Sequence, residues 1–203
     1  MALTLVKEDG TGKVDANAYA DLADANAYHD GHLYKSAWSL SDDDKRQTAL
    51  VMATRLIDAE YQFGGVRATI SQALQWPRSD CRDPDGGTAG FGADNAARVA
   101  ARGVNPDGGD LIELLGAEWI IPSNVMPKAL VEATCEMARE LLVVDRSATP
   151  EGEGLKYYND GSVQKGYDKA DKRPIISTVA QAMLAKYGVL IRAKSGSVRL
   201  TRA

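Results

Sequence analysis

Four stretches of the chain repeat their apolar residues with a period of about 3.6, the spacing of an amphipathic helix. The second stretch has the clearest pattern, because a capping serine and three carboxylates at 41–44 precede an apolar stripe that includes Met52 and Leu56. The four predicted helices cover residues 17–30 with Asn17 as the cap, 41–61 with Ser41 as the cap, 122–145 opening at Pro122, and a segment that follows Ser177 and ends before Gly188.

Two other stretches alternate apolar and polar residues, which is typical of strands. Residues 155–158 and 162–165 flank an Asn-Asp-Gly turn at 159–161 and predict a β-hairpin. Residues 189–192 and 198–202 alternate more weakly, and too few residues surround them to bury both faces. A two-stranded hairpin is marginal alone, so we expect it to pack on the helices or on another subunit.

Residues 79–121 are rich in glycine and weakly patterned, which indicates a long loop inserted in a helical core. We therefore expect a mainly α protein, a small bundle of about four main helices with a β-hairpin, an inserted loop and an extended C-terminal tail. The predicted organisation is one helical domain over residues 1–190, with the insertion at about 79–120, followed by a basic tail at 191–203.

The charge is unevenly distributed along the chain. The net charge is -4, yet no acidic residue follows Asp171, and seven basic residues do. Residues 1–171 carry 17 basic and 28 acidic residues. An acidic body with a basic tail predicts contact with something acidic, which is nucleic acid or another protein surface, including a neighbouring copy. The alternative is a solvated extension with no partner.

Other features of the sequence argue against a membrane-spanning protein, a secreted protein and a zinc-binding protein. No apolar run is long enough to span a bilayer, and the N-terminus has no signal-peptide pattern, so we expect a protein made and kept in the cytosol or in a particle assembled there. Cys81 and Cys135 are too far apart for a zinc motif and are interpreted as free thiols.

We find no motif for catalysis, a metal or a cofactor. His29 and His32 lack further ligands in pattern, and we expect them at the surface or at an interface. The carboxylates at 42–44 fit helix capping better than calcium binding. The segment 10–13, Gly-Thr-Gly-Lys, lacks the rest of a phosphate loop.

The aromatic residues give a limited signal for nucleic acid. Tyr157 and Tyr158 have Lys156 and Lys165 nearby, which would suit stacking on bases beside phosphate contacts. The three tryptophans sit beside Leu or Ile at the ends of predicted elements, which favours core packing for Trp38, Trp76 and Trp119.

Three segments carry a family likeness. The first comprises Glu8–Gly12, 17–19 and 25–29. The second comprises 45–61, 64–67 and the Gln-Ala-Leu-Gln-Trp-Pro-Arg run at 72–78, and the third comprises 121–130 and 133–136. They resemble a family of tailed-phage proteins, some labelled DnaT-like single-stranded-DNA-binding proteins. The order of elements also resembles the head–tail adaptor, or connector, proteins of long-tailed phages. The likeness covers roughly residues 5–78 and 120–190, and the long segment 79–120 departs from it.

The adaptor resemblance implies a non-enzymatic virion protein at the head–tail junction, assembled in the host cytoplasm. Its partners would be the portal protein, a stopper or other tail-proximal neck protein, and copies of itself in a cyclic ring, expected to be a dodecamer. Genomic DNA would pass through an acidic lumen without specific binding, and no membrane or cofactor is implied. The portal-binding residues would be Val189, Leu190, Ile191, Arg192, Lys194, Val198, Arg199, Leu200 and Arg202, and the inter-subunit or tail contacts Tyr157, Tyr158, Val163 and Lys165.

Two alternatives remain open from the sequence. A single-stranded-DNA-binding replication protein would use Lys156, Lys165 and the basic tail in salt-sensitive binding. An enzyme would use the 79–120 loop as a lid over a polar pocket, for which the sequence offers no motif.

Overall fold

The computed structural model describes residues 3–84, 120–148, 157–161, 163–166 and 173–191. Most of the predicted insertion, Trp119 and the tail from Arg192 onward lie outside these residues. The described elements are α1 (Leu22–Asp30), α2 (Ser36–Ser39), α3 (Asp43–Glu60), β1 (Tyr61–Phe63), β2 (Val66–Arg67), β3 (Arg78–Ser79), α4 (Lys128–Val143), β4 (Tyr157–Asp160), β5 (Val163–Gly166), α5 (Thr178–Leu184) and β6 (Gly188–Leu190). The protein is mainly α, as predicted, and its described strands form three two-stranded sheets.

The first helix is shorter than predicted. It begins after Asp21, which forms a capping box with Asp24, rather than at Asn17. The side chain of Asn17 instead accepts a hydrogen bond from Val6 N at 2.8 Å and donates one to Thr4 O at 2.8 Å. Residues 17–20 are therefore held against the N-terminal segment, and Lys7 forms an isolated parallel bridge with Ala18.

The two long helices form the centre of the bundle. In α3 the N-cap is Asp42, one residue after the predicted Ser41, and its carboxylate accepts from Lys45 N at 2.8 Å. Helix α4 begins at Lys128 rather than near Pro122, after Pro127 as N-cap. The predicted apolar face of α4 is confirmed, since it buries Leu130, Thr134, Met137 and Ala138 and packs against both α3 and α5. No described helix is long and apolar enough to cross a membrane.

The C-terminal helix and strand close the bundle. Ser177 caps α5 as predicted, its hydroxyl accepting from Ala180 N at 3.2 Å. Gly188 was expected to end this helix, but Ala185 ends it and Gly188 opens β6. A Cβ at Gly188 would lie 2.7 Å from Gln62 O, so the close pairing with β1 requires glycine there.

The core contains two of the tryptophans that the sequence predicts to be buried, and one of them lies on a helix that the sequence did not predict. Trp38 and Trp76 are buried as predicted. Cys81 and Cys135 are free thiols, as predicted, and both are buried. The one-turn helix α2, which carries Trp38, was not predicted because four residues are too few to show a period.

Candidate interaction surfaces

The first three proposed portal-binding residues lie in or next to β6. This strand pairs antiparallel with β1, placing Val189 opposite Gln62 and Leu190 opposite Tyr61. The ladder continues through a hydrogen bond from Ile191 N to Glu60 O at 2.8 Å. The C-terminal segment, for which portal binding was expected, pairs with its own chain as far as Ile191.

The β1–β6 sheet has a buried face and an exposed face. Tyr61 and Phe63 are buried and Leu190 packs against the core, whereas the exposed fractions of Val189 and Ile191 are 66% and 56%. Exposed β-branched residues at alternate positions make a small apolar surface where the tail leaves the body. The other proposed portal-binding residues, Arg192, Lys194, Val198, Arg199, Leu200 and Arg202, lie outside the described residues.

The predicted hairpin is confirmed in β4 and β5, which are antiparallel and place Tyr158 opposite Lys165 and Asp160 opposite Val163. The Tyr157 side chain is 52% exposed. Of the other proposed contacts, Tyr158, Val163 and Lys165 are described by their backbone only. Within the described residues, the hairpin strands make extensive contacts only with each other.

A polar clamp holds together the two ends of the segment that carries the hairpin. Arg146 donates to Ile175 O and Pro174 O, both at 2.9 Å, and pairs with Glu140 at 3.1 Å. Arg173 donates to Asp145 O at 3.2 Å. We call residues 149–172, which leave and return at this clamp, the arm.

A shallow apolar cleft runs along α3 beside this clamp. It consists of two adjoining hollows of about 300 and 400 Å³ that share Thr48 and Met52. The remaining lining residues are Asp44, Lys45, Ala49, Leu141 and Leu142 in one hollow, and Leu3, Val51, Arg55, Leu56 and Ser147 in the other. We call this feature the α3 groove.

A second apolar surface lies on the connections around α2. The exposed fractions of Leu33, Tyr34 and Leu40 are 85%, 72% and 87%. These three exposed apolar side chains are candidates for contact with a protein partner.

Most basic side chains of the described body already have partners. Two further arginines, Arg67 and Arg78, donate to backbone carbonyls within the body. The ion pairs join Lys7 to Asp21 and Asp24, Lys13 to Asp9, Lys35 to Asp30, Lys45 to Asp42, Arg46 to Asp43, Lys128 to Glu132, Arg139 to Glu136 and Glu140, and Arg146 to Glu140. This pairing neutralises much of the positive surface that a phosphate backbone would need.

The loop at 10–13 uses its backbone donors internally. The fully buried carboxylate of Glu8 accepts from Gly10 N and Gly12 N, both at 2.9 Å, and from Lys13 N at 2.8 Å. Such converging amides form an anion nest, and here the anion is the protein's own carboxylate. The sequence analysis missed this role of Glu8.

The Gln-Ala-Leu-Gln-Trp-Pro-Arg run is also built into the interior. The buried Gln72 amide donates to Leu74 O and Pro77 O, both at 2.9 Å, around a cis bond between Trp76 and Pro77. The Arg78 guanidinium donates to Gly64 O at 2.6 Å, Gly65 O at 2.7 Å and Gln75 O at 3.1 Å. The run that carries the family likeness is therefore a structural bend.

A buried hydroxyl and carboxyl support the same bend. Tyr19 donates to Asp58, and Asp58 accepts from Gln75 N at 3.1 Å. Burial raises the pKa of Asp58 to about 6, while the hydrogen bond from Tyr19 opposes this shift. Neither residue was singled out by the sequence analysis, because their partners come from distant segments.

The prediction of a surface or interface position is wrong for His29. Its exposed fraction is 1%, its ring packs against Trp38 with centroids 4.7 Å apart, and among the described residues neither ring nitrogen has a partner at good hydrogen-bond geometry. Burial lowers its pKa to about 4, with an opposing effect from Glu136. His32 is partly exposed and lies 3.8 Å from a Glu136 oxygen. Within the described ranges, no group of three or more acidic, histidine or cysteine residues is arranged to hold a metal ion.

Comparison with known proteins gives one match. The model of a family described as "Putative DnaT-like ssDNA binding protein" matches residues 3–90, less than half of the chain. The match covers the body from the Glu8 loop to the Arg78 bend and ends before α4, the arm and the basic tail. No curated protein and no solved structure matches the chain.

Proposed function

We propose that this chain is a structural head–tail adaptor of a tailed bacteriophage, forming a ring that joins the portal to the next neck or tail component and lets DNA pass. The observation that carries the proposal is a contrast on the described body. Its basic side chains are mostly paired with carboxylates or carbonyls, while large apolar side chains lie exposed at several places. Exposed apolar surface suits protein partners, whereas nucleic-acid binding favours a surface with an excess of basic residues over acidic ones.

Different surfaces would serve different partners. The segment from Arg192 onward would bind the portal, since it carries basic residues and no acidic residue and follows the exposed apolar side chains of Val189 and Ile191. The surface around Leu33, Tyr34 and Leu40 would be available to a stopper or other tail-proximal neck protein. An acidic ring lumen would repel the phosphates of passing DNA, and the adaptor would reside in the virion after assembly in the host cytoplasm.

The test is co-sedimentation of the full chain with the portal protein of its own phage. The comparison variant ends at Ile191, because a shorter chain would lose the β6 pairing with β1. We expect the full chain to sediment with the portal and the shortened chain to lose most of this binding. If the full chain does not sediment with the portal, the result contradicts the proposal.

A second candidate function is single-stranded-DNA binding, favoured by the family model over residues 3–90. Cations for this binding would come from Lys156, Lys165 and the tail, all beyond the matched segment. Labelled oligonucleotide titrated at increasing salt distinguishes the two functions. Tight binding at physiological salt, lost with the chain ending at Ile191 and falling steeply with salt, would favour this candidate.

A further inference from the structure

We propose that the arm of one copy seats its hairpin in the α3 groove of the next copy. This inference rests on the proposed ring and assigns the contact between its subunits. It starts from the hairpin, because two strands without further packing are marginal in water. In the described part of the chain, β4 and β5 contact each other extensively and make no contact of similar extent with another helix or strand.

Hydrogen bonds hold the two ends of the arm together at its root. Arg146 and Arg173 join the chain before and after the arm through hydrogen bonds of 2.9–3.2 Å to backbone oxygens. The 24 residues between form an excursion that begins and ends at one place. The shorter limb, residues 167–172, has six residues, and six residues at full extension plus a four-residue strand reach at most about 34 Å, longer than a helix the length of α3.

The α3 groove offers what the hairpin lacks. Its floor is aliphatic, formed by residues such as Met52, Leu56 and Leu142, and it is open in the described part of the chain. From Asp44 to Leu56 it follows α3 for about 18 Å, and a four-residue strand is about 13 Å long. The exposed ring of Tyr157 supplies an amphipathic side chain for such a cleft.

Each copy carries both an arm and a groove that is open in the described part of the chain. When each copy inserts its arm into the next, the contact is heterologous, and heterologous contacts close into rings when the rotation allows. The contact leaves the basic residues from Arg192 onward free for the portal, so the two interactions are separable.

Cysteine pairing tests the contact directly in the full-length chain. One variant carries Thr48→Cys in the groove and the other carries Asn159→Cys on the exposed hairpin, while native Cys81 and Cys135 are buried. Mixed under mild oxidation, alone and with the portal, the two variants should form a covalent dimer. The matched control replaces Thr48→Cys by Ala27→Cys, on an exposed position of α1, and should give only background.

Two outcomes would overturn the inference. One is a disulfide formed within a single chain that carries both Thr48→Cys and Asn159→Cys, which would place the hairpin in its own groove. The other is no dimer above the Ala27→Cys background, either alone or with the portal. Portal co-sedimentation without the cross-link would refute the groove contact and leave the adaptor proposal standing. A cross-link without portal binding would support the groove contact and contradict the adaptor proposal.

A charge placed in the groove gives a second measurement. Thr48 is exposed and lies where the two hollows meet, so Thr48→Arg obstructs the cleft without entering the core. We expect self-association, measured by sedimentation velocity, to weaken by about tenfold or more. Ala27→Arg places the same side chain on α1 and should leave association unchanged. Equal association for both variants would contradict the proposal.

Discussion

The bend at Gln72–Arg78 and the hairpin formed by β4 and β5 are both non-helical, yet they are held in place in different ways. The bend is held by buried donors from Gln72 and Arg78, and its partner Asp58 lies on α3. The hairpin of the arm is held in the described residues by its own ladder and by the clamp at its root. A segment whose polar groups are satisfied internally serves the fold, whereas a segment left without packing is a candidate for a partner.

The largest effect should come from breaking the bend. Arg78→Ala would leave the carbonyls of Gly64, Gly65 and Gln75 without their buried donor. We expect a loss of about 3–4 kcal/mol in the free energy of unfolding, measured by denaturant titration. Arg82→Ala, at an exposed arginine four residues later, is the matched control and should change stability by less than about 0.5 kcal/mol. Similar stability for both variants would refute the role given to the bend.

The next effect depends on pH and comes from His29. Its folded pKa is lowered to about 4, so the unfolded chain takes up a proton first as pH falls below 6.5. The stability tied to a neutral His29 is therefore present above pH 6.5 and lost as pH falls towards 4, by about 3 kcal/mol in total. We expect the stability of the native protein relative to His29→Phe to decline through this window.

The charged groups around His29 set the design of that measurement. Glu136 and Arg139 face it from α4, and Tyr28 and His32 lie beside it on and after α1. Asp58, with its pKa raised to about 6, favours the folded state as pH falls, which is the opposite sign. Because Asp58 is present in both proteins, the difference between them isolates His29. A difference that does not vary between pH 4 and 6.5 would contradict the prediction.

A smaller effect should follow removal of the Glu8 carboxylate. Glu8→Ala would leave the buried amides of Gly10 and Gly12 and the partly buried amide of Lys13 without their acceptor. We expect a loss of about 2 kcal/mol in the free energy of unfolding. Asp9→Ala, which removes an exposed neighbouring carboxylate paired with Lys13, is the control and should cost clearly less. A Glu8 variant as stable as the Asp9 variant would show that the loop does not need its internal anion.

The helices, the caps and the hairpin show which parts of the fold could be predicted from the sequence. Helices α3 and α4, the Ser177 cap and the presence of the hairpin were predicted because periodicity and capping are local patterns. The turn was placed about two residues too early, because Asn159 and Asp160 belong to β4 and the chain reverses between Asp160 and Val163. The start of α1 was missed because residues 17–20 are held by a distant N-terminal segment. Local propensity does not report such tertiary pairing.

The candidate surfaces were only partly predictable for a related reason. The hairpin and the C-terminal strand could be located from alternation, but the pairing of β6 with β1 joins residues about 130 apart and has no local signal. The α3 groove likewise depends on the packing of α3 against α4. The burial of His29 beside Trp38 follows from the unpredicted helix α2.

The smallest change in stability, and the sharpest contrast with the bend, should come from Tyr157→Ser. The side chain is 52% exposed, so the free energy of unfolding should stay within about 0.5 kcal/mol of the native value. Self-association should nevertheless weaken, because an aromatic side chain that enters a cleft contributes strongly to an interface. Tyr34→Ser, at another exposed tyrosine, is the control that leaves hairpin and groove intact. If Tyr157→Ser unfolds the protein or leaves association unchanged, the arm belongs to the fold of its own chain, and its difference from the bend disappears.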